Sequence, residues 1–296
     1  MIIALIFICA VFFPGIINRT RSIASGRRGP DILQPLKNVA LLLRKGSVFS
    51  TSSSIITQLA PTVYLATVVV AALLVPFGKS TGIISFNGDF VVFAYLLALG
   101  RIALIMGAMD AASSFQGMGA SREALYSALV EPALFILMGA FALTTGYSSF
   151  ESIFIHFQTG ELNNGILGVL AAFILFSIMI VETCRVPVDD PRTHLELTMI
   201  HEVMILDNSG FDLALIHITT YFKFAIFSAL IAASLIPQSI GFVWYLLLFF
   251  VVEMLCAICI GIFESFRARY RLPRNASYMV TITAMAFVAF ITVLVI

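Results

Sequence analysis

The chain has 296 residues, of which 60% are hydrophobic and 11% are charged, and its formal net charge is +1 at pH 7. This composition excludes an ordinary soluble domain, because too few polar side chains exist to solvate its surface, and it is typical of a helix bundle immersed in lipid. The near-neutral charge implies no nucleic-acid partner.

Membrane-spanning helices require about 20 mostly apolar residues, because each residue advances roughly 1.5 Å across a hydrocarbon layer about 30 Å thick. Such segments recur along the chain and predict an all-α, polytopic fold with eight transmembrane helices in a single integral membrane domain, residues 1–296. The predicted spans are residues 2–17, 55–77, 90–109, 124–143, 165–182, 213–236, 240–263 and 278–296. In the first span, Pro14-Gly15 is expected to break the helix, and the cations that follow the apolar run indicate a retained helix instead of a secretory signal.

Lysines and arginines outside the spans are distributed one-sidedly. The odd-numbered loops carry nearly all of them, whereas the even-numbered loops together hold only Lys79. Cytoplasmic loops accumulate such cations, so both termini are expected outside. The predicted cytoplasmic loops are residues 19–54, 110–123, 183–212 and 264–275.

Residues 35–49 follow the first span and alternate apolar side chains with Lys37, Arg44 and Lys45. The pattern favours a helix lying along the cytoplasmic interface of the membrane. The alternative is a solvated basic connector.

Ser121 and Glu123 precede the fourth predicted span. A serine can cap the exposed amides of a helix, and an acid suits its positive end. The pattern therefore predicts a helix start at residue 124, with a structural role for both side chains.

Ionisable residues within the spans are informative, because placing a charge near the bilayer centre costs roughly 2.5 to 3.5 kcal/mol on insertion scales. Acids and bases on different helices can pass protons along when water bridges them, since their titrations are coupled. The alternative is a set of buried ion pairs that only fix helix packing. For the whole set we favour a proton or ion path through Arg101, Asp110, Glu131, Glu182, Lys223 and Glu253.

Residues 182–202 mix ionisable and apolar side chains more densely than an ordinary loop does. The prolines Pro187 and Pro191 stiffen the segment, and its apolar residues favour burial against a cytoplasmic partner protein. Histidines and acids in this segment match no spacing of a known metal site, so no metal is expected. The predicted docking and coupling residues here are Arg185, Asp189, Asp190, His194, Glu196, His201 and Glu202.

The motif Glu182-Thr-Cys-Arg-Val-Pro-Val-Asp189, followed by Glu196-Leu197, resembles the H-type membrane subunit of NADH-quinone oxidoreductase (complex I) and its mitochondrial subunit 1 counterpart. Residues 26–35, 119–132 and 267–273 resemble the same family in the same order. The sequence of residues 121–124, 130–132 and 186–202 is similar to that of the family's hydrogenase branch. This branch includes formate hydrogenlyase subunit 4, hydrogenase-4 component C and the anchor subunit of membrane-bound hydrogenases.

The resemblance implies a non-catalytic membrane-arm subunit of a complex I-like, membrane-bound-hydrogenase-type enzyme in the cell inner membrane. Its expected partners are hydrogenase-like large and small subunits, an iron-sulfur ferredoxin-like subunit and antiporter-like membrane subunits. Iron-sulfur clusters, and nickel-iron where the partner retains it, belong to those partners, and this chain is expected to bind no cofactor. By carry-over, Glu131 and Glu182 lie on the proton path, and Arg27, Arg28 and Gln34 join the docking residues.

Several positions depart from the quinone-using branch. Residues 188–190 read Val-Asp-Asp where that branch usually has Phe-Asp-Leu, and Arg192, His194, Asn38 and Leu41 stand where relatives carry acids or a lysine. Quinone binding is therefore not expected. The alternatives are a quinone-chamber subunit of a true complex I, an independent secondary transporter, and a structural anchor with no ion path.

Overall fold

The computed structural model describes residues 2–77, 82–157, 162–190, 199–237 and 240–295. These ranges fold as helices joined by short connections. In chain order the helices are α1 (Ile2–Ala24), α2 (Gln34–Leu43), α3 (Ile55–Leu74), α4 (Asp89–Asp110), α5 (Ser114–Thr145), α6 (Phe150–Phe157), α7 (Leu162–Glu182), α8 (His201–Met204), α9 (Gly210–Leu235), α10 (Phe242–Phe266) and α11 (Leu272–Val295).

Eight of these helices are long and apolar enough to cross a membrane, namely α1, α3, α4, α5, α7, α9, α10 and α11. The predicted all-α fold and its number of spans are confirmed. The side of the membrane on which the termini lie remains a prediction.

Helix α9 is the most buried of the spans and packs against α1, α3, α7 and α10. Its C-terminal half is rich in buried alanines and serines, which let neighbouring backbones approach closely in lipid. The α3–α4 pair is equally close, because Gly107 of α4 faces Ala60 of α3 where an added Cβ would lie only 2.6 Å from the alanine Cβ.

Helix α1 continues through Pro14, so the expected break in the first span is wrong. Membrane helices tolerate proline because neighbouring groups satisfy the freed carbonyl. Gly15 has a packing role instead, since an added Cβ there would collide with the backbone carbonyl of Ile32, which leads into α2.

Helix α5 begins at Ser114, ten residues before the predicted start, so most of the connection predicted at residues 110–123 is helical. Glu123 therefore lies well inside the helix and does not interact with its positive end. Gly119 is a packing position within this helix, since an added Cβ there would lie 2.6 Å from Val203 Cγ1.

Helix α2 confirms the helix predicted between the first two spans, although it ends at Leu43 instead of continuing to residue 49. It buries Pro35 and Val39 against the bundle and leaves most of its other side chains exposed. The short helix α6 was not predicted, and its first backbone amide, at Phe150, donates to the buried Asp89 carboxylate at 2.7 Å.

Candidate functional site

Five ionisable side chains from four spans meet inside the bundle: Arg101 of α4, Glu123 and Glu131 of α5, Glu182 of α7 and Lys223 of α9. We call this group the charge cluster. The Arg101 guanidinium lies 3.1 Å from Glu131 and 3.9 Å from Glu123, and it also contacts Glu182 directly. The second oxygen of Glu182 lies 2.9 Å from Lys223 Nζ. The predicted path residues Arg101, Glu131, Glu182 and Lys223 are thus brought together.

Close helix packing makes the cluster possible. Gly100, next to Arg101, lets α4 approach Thr67 and Tyr64 of α3. The Tyr64 ring in turn lies beneath the Lys223 ammonium, 4.9 Å from ring centroid to nitrogen, which favours a cation in a site with almost no solvent.

The charge cluster contains one more acid than base. Arg101, Glu182 and Lys223 are nearly inaccessible, whereas 38% of the Glu131 side chain is exposed at the outer surface of the helices. Because three carboxylates share two cations, their protonation states depend on one another and a proton can be redistributed among them.

Two cavities of about 10 Å³ flank Arg101 and Glu182, each near the size of a single water molecule. One is bordered by Glu123 and the other by Glu131. Water in these positions would connect carboxylates that do not touch directly.

A larger cavity of about 420 Å³ opens between α1, α2, α9 and the segment after α7. We call it the vestibule. Its polar lining includes Asn18, Asn38, Arg185, Glu202, His217 and Tyr221. Cys184 and Asp189 border both the vestibule and the small cavity beside Glu123, so a thin wall separates the vestibule from the charge cluster.

The two residues at the start of α8, which line the vestibule, have shifted pKa values. Burial, together with the negative charge of Asp189, raises the pKa of Glu202 to about 7, and Arg185 opposes the shift. Burial lowers the pKa of His201 to about 3, with a contribution from the positive charge of Lys223. Near neutral pH, Glu202 is therefore divided between its two forms while His201 is neutral.

Asp189 anchors the segment after α7. Its carboxylate lies 3.0 Å from Arg269 and accepts hydrogen bonds of 3.0 Å from the backbone amides of Ile200 and His201. Burial nevertheless raises the pKa of Asp189.

A second group of ion pairs holds the same segment against α1 and α10. The buried Glu264 carboxylate lies 3.3 Å from Arg185 and 3.4 Å from Arg21, and Arg21 lies 3.6 Å from Asp190. Residues 183–190 are therefore fixed to the membrane bundle at several points.

The other predicted residues lie elsewhere in the structure. Asp110 caps the start of α3, where it accepts hydrogen bonds from Ser54 and Thr57, and Glu253 accepts one of 2.6 Å from Ser228. Arg27, Arg28 and Gln34 are exposed. The predicted docking residues His194 and Glu196 lie outside the described residues, as does Lys79.

Sequence reasoning missed the participation of Glu123 in the charge cluster. The signal was present, because Glu123, Ser127 and Glu131 recur every four residues and so share one side of a helix. It also missed the ion pairs of Glu264 and Arg269, whose partners lie far away in the sequence.

Comparison with known proteins assigns a family. The family described as NADH dehydrogenase matches residues 1–295. The chain belongs to that family. Within it, the chain is 30% identical over 225 residues to hydrogenase-4 component C of Escherichia coli strain K12, covering 76% of this chain and 70% of that protein. It is 25% identical over 296 residues to formate hydrogenlyase subunit 4 of the same organism, covering 98% and 95% of the two chains.

Quinone-linked members of the NADH dehydrogenase family are also similar. An H-type subunit of NADH-quinone oxidoreductase from Solibacter usitatus is 27% identical over 213 residues, covering 69% of this chain and 52% of that protein. Among solved structures, a chain of an archaeal membrane-bound sulfane sulfur reductase complex superposes with a TM-score of 0.82 over 99% of this chain and 97% of its own length. Because its identity is only 19%, it shows the fold alone.

These findings and the eight spans make the chain a multi-pass membrane subunit of the complex I-like, hydrogenase-type oxidoreductases. The recognition made from residues 182–202 is confirmed.

Proposed function

We propose that this chain anchors a peripheral redox arm to the membrane. We propose also that it carries protons between the vestibule and the exposed face of α5 beside Glu131. The observation that carries the proposal is the continuity of the charge cluster. It begins behind the vestibule wall and ends at a half-exposed carboxylate within a membrane span.

The path has three stages. Protons enter the vestibule, where Glu202 can accept and release them near neutral pH. They pass the wall at Cys184 and Asp189 to the small cavity beside Glu123. The carboxylates of the charge cluster, bridged by water, then relay them to Glu131.

A purely structural set of ion pairs is the competing explanation. Matched pairs would neutralise each other and exclude water, as dry packing in lipid favours. The charge cluster has an unmatched acid, a cavity on each side and one member at the surface, and these features support a relay.

Docking is proposed for the side of the bundle that bears the cationic loops. There Arg27 and Arg28 precede α2, and Gln34 is its first residue; all three are exposed. Residues 183–190 are held in a fixed conformation by the ion pairs of Glu264 and Asp189. A rigid, charged surface suits a protein partner. The proposed partners are hydrogenase-like large and small subunits, an iron-sulfur ferredoxin-like subunit and antiporter-like membrane subunits, which would hold the redox cofactors.

Two measurements test these roles separately. Purification in mild detergent should recover the chain with iron-sulfur and antiporter-like proteins, and recovery as a lone, stable monomer would contradict docking. In membrane vesicles, Glu182→Gln should reduce electron-coupled proton movement while leaving assembly intact. Unchanged proton movement would leave only the anchor role.

The vestibule favours a second candidate function, a quinone chamber. Its volume of about 420 Å³ and its lining by Tyr221, His217 and Arg185 offer space and hydrogen-bond partners for a quinone head group. A photoreactive quinone applied to the assembled complex distinguishes the two. Labelling of the vestibule that inhibitors suppress would support the chamber, and absence of labelling in an active complex would exclude it.

A further inference from the structure

An apolar and cationic surface extends from the end of α2 toward α3. Leu41 is 56% exposed and Val48 is 73% exposed, so packing within the chain does not account for an apolar side chain at either position. We call this surface the α2 patch, consisting of Leu41, Leu43, Arg44, Lys45, Val48 and Phe49, all of them exposed.

Hydrogen bonds fix the height of the α2 patch relative to the spans. The Val48 amide donates to Ser209 Oγ at 2.9 Å, and the Ser209 hydroxyl donates back to the Val48 carbonyl at 3.3 Å. Ser209 is the N-cap of the span α9. The α2 patch therefore lies where the chain enters the bilayer, and it cannot extend freely into water.

The α2 patch is continuous with a surface that faces lipid. Shortly after Phe49 the span α3 begins, and its first turns expose Ile55, Ile56 and Leu59. Only residues 50–54 separate Phe49 from these side chains along the chain, which brings the end of the α2 patch to the same end of α3. A solvated connector would leave this apolar area in water at a cost that lipid contact removes.

The charge of the region is strongly positive. Asp31 is the only acid in residues 19–54, and Lys37 pairs with it at 2.7 Å. Arg44 and Lys45 make no side-chain hydrogen bond or ion pair within the described part of the chain. Clusters of Lys and Arg beside a span, on an amphipathic helix, attract anionic lipid head groups.

We propose that the α2 patch is a binding site for anionic phospholipids. Leu41, Leu43 and Phe49 insert among the upper acyl chains, and Arg44 and Lys45 contact the phosphate and the negatively charged head group. The inference goes beyond the proposed function, since it holds whether or not the charge cluster carries protons.

An indole reporter tests the lipid class. The chain has one tryptophan, Trp244, on α10. In the full chain carrying Trp244→Phe and Leu41→Trp, reconstituted into vesicles, brominated phosphatidylglycerol should quench the fluorescence more strongly than brominated phosphatidylcholine. Replacing Arg44 and Lys45 by Gln should lower the relative association constant for phosphatidylglycerol by about fivefold for each cation. Raising the salt concentration should lower it as well.

The matched control is the pair Arg271→Gln and Arg274→Gln in the same reporter chain, because these exposed cations lie on another connection, at the start of α11. These two substitutions should leave the preference for phosphatidylglycerol over phosphatidylcholine unchanged. Equal quenching by the two lipids, or a preference that persists without Arg44 and Lys45, would overturn the proposal. Absence of quenching by either lipid would also overturn it, because it would place the α2 patch in water.

Discussion

The Glu182 carboxylate is shared between two cations on different helices: Lys223 Nζ lies 2.9 Å from one oxygen, and the Arg101 guanidinium contacts the other. All three side chains are almost inaccessible. Such an arrangement joins α4, α7 and α9 through charge in a medium where an unpaired charge is costly.

Removing Lys223 alone should destabilise the chain more than removing Lys223 together with the charge of Glu182. Lys223→Met leaves an excess of buried negative charge, so we expect a loss of about 3 to 5 kcal/mol in the free energy of unfolding. Adding Glu182→Gln should recover part of that loss, because the charge cluster then returns to its original excess of one acid. Thermal unfolding of the purified chain in detergent, for both single variants and the double variant, measures this coupling.

Lys37 provides the matched control, since it forms an exposed pair with Asp31 at 2.7 Å. Lys37→Met should cost no more than about 1 kcal/mol. Simple additivity of Lys223→Met and Glu182→Gln would contradict the shared-carboxylate arrangement.

Asp110 is expected to act as a helix cap. Its carboxylate accepts hydrogen bonds from the Ser54 amide at 2.8 Å and from the Thr57 hydroxyl at 2.7 Å. Asp110→Ala should therefore lower the stability of the chain, and Asp110→Asn, which keeps an acceptor oxygen, should lower it less. A proton relay predicts a different order, with both variants equally impaired in proton movement despite their different stabilities. Measuring both quantities on the same preparations separates the two roles.

Glu202 should make stability depend on pH. Its pKa rises from 4.5 to about 7 on folding, so between these pH values the folded chain keeps a proton that the unfolded chain has lost. The free energy of unfolding then falls as pH rises through this window and levels off above it. Glu202→Gln should remove this contribution, so its melting temperature relative to wild type should increase from pH 5 to pH 8.

His201 contributes to the pH dependence of stability with the opposite sign, because the pKa of that residue is lowered to about 3. This contribution cancels when Glu202→Gln is compared with wild type, since both chains contain His201. Asp207→Asn is the control, since Asp207 is a nearby exposed acid. A difference between Glu202→Gln and wild type that stays constant with pH would show that Glu202 does not take up this proton.

The spans were predictable because hydrophobic length is a local property of the sequence. The predicted segment 55–77 and helix α3 share their first residue, and the segment 90–109 differs from α4 by one residue at each end. The start of α5 was not predictable by the same reasoning, because Gly117 and Gly119 are residues that usually mark turns in water, and here both lie within a helix.

The sequence predicted most of the residues that belong to the candidate site, but not which of them pair with one another. Arg101 and Glu131 were both predicted to belong to one ion path, and the two side chains lie 3.1 Å apart. The pairing of Glu182 with Lys223 depends on which helices are neighbours, which spacing along one chain does not specify. The docking roles of Arg185 and Asp189 remain predictions, although their ion pairs with Glu264 and Arg269 show what holds them.

In the proposed function, protons cross the charge cluster and leave it at Glu131. The most direct measurement is the rate of electron-coupled proton movement in vesicles that contain the assembled complex with Glu131→Gln, a variant that keeps the size and hydrogen-bonding capacity of the side chain. Loss of general acid–base function at one relay position should slow proton transfer by about 100-fold or more, while the subunits still purify together. Proton movement equal to that of wild type, in a complex of normal composition, would contradict the account.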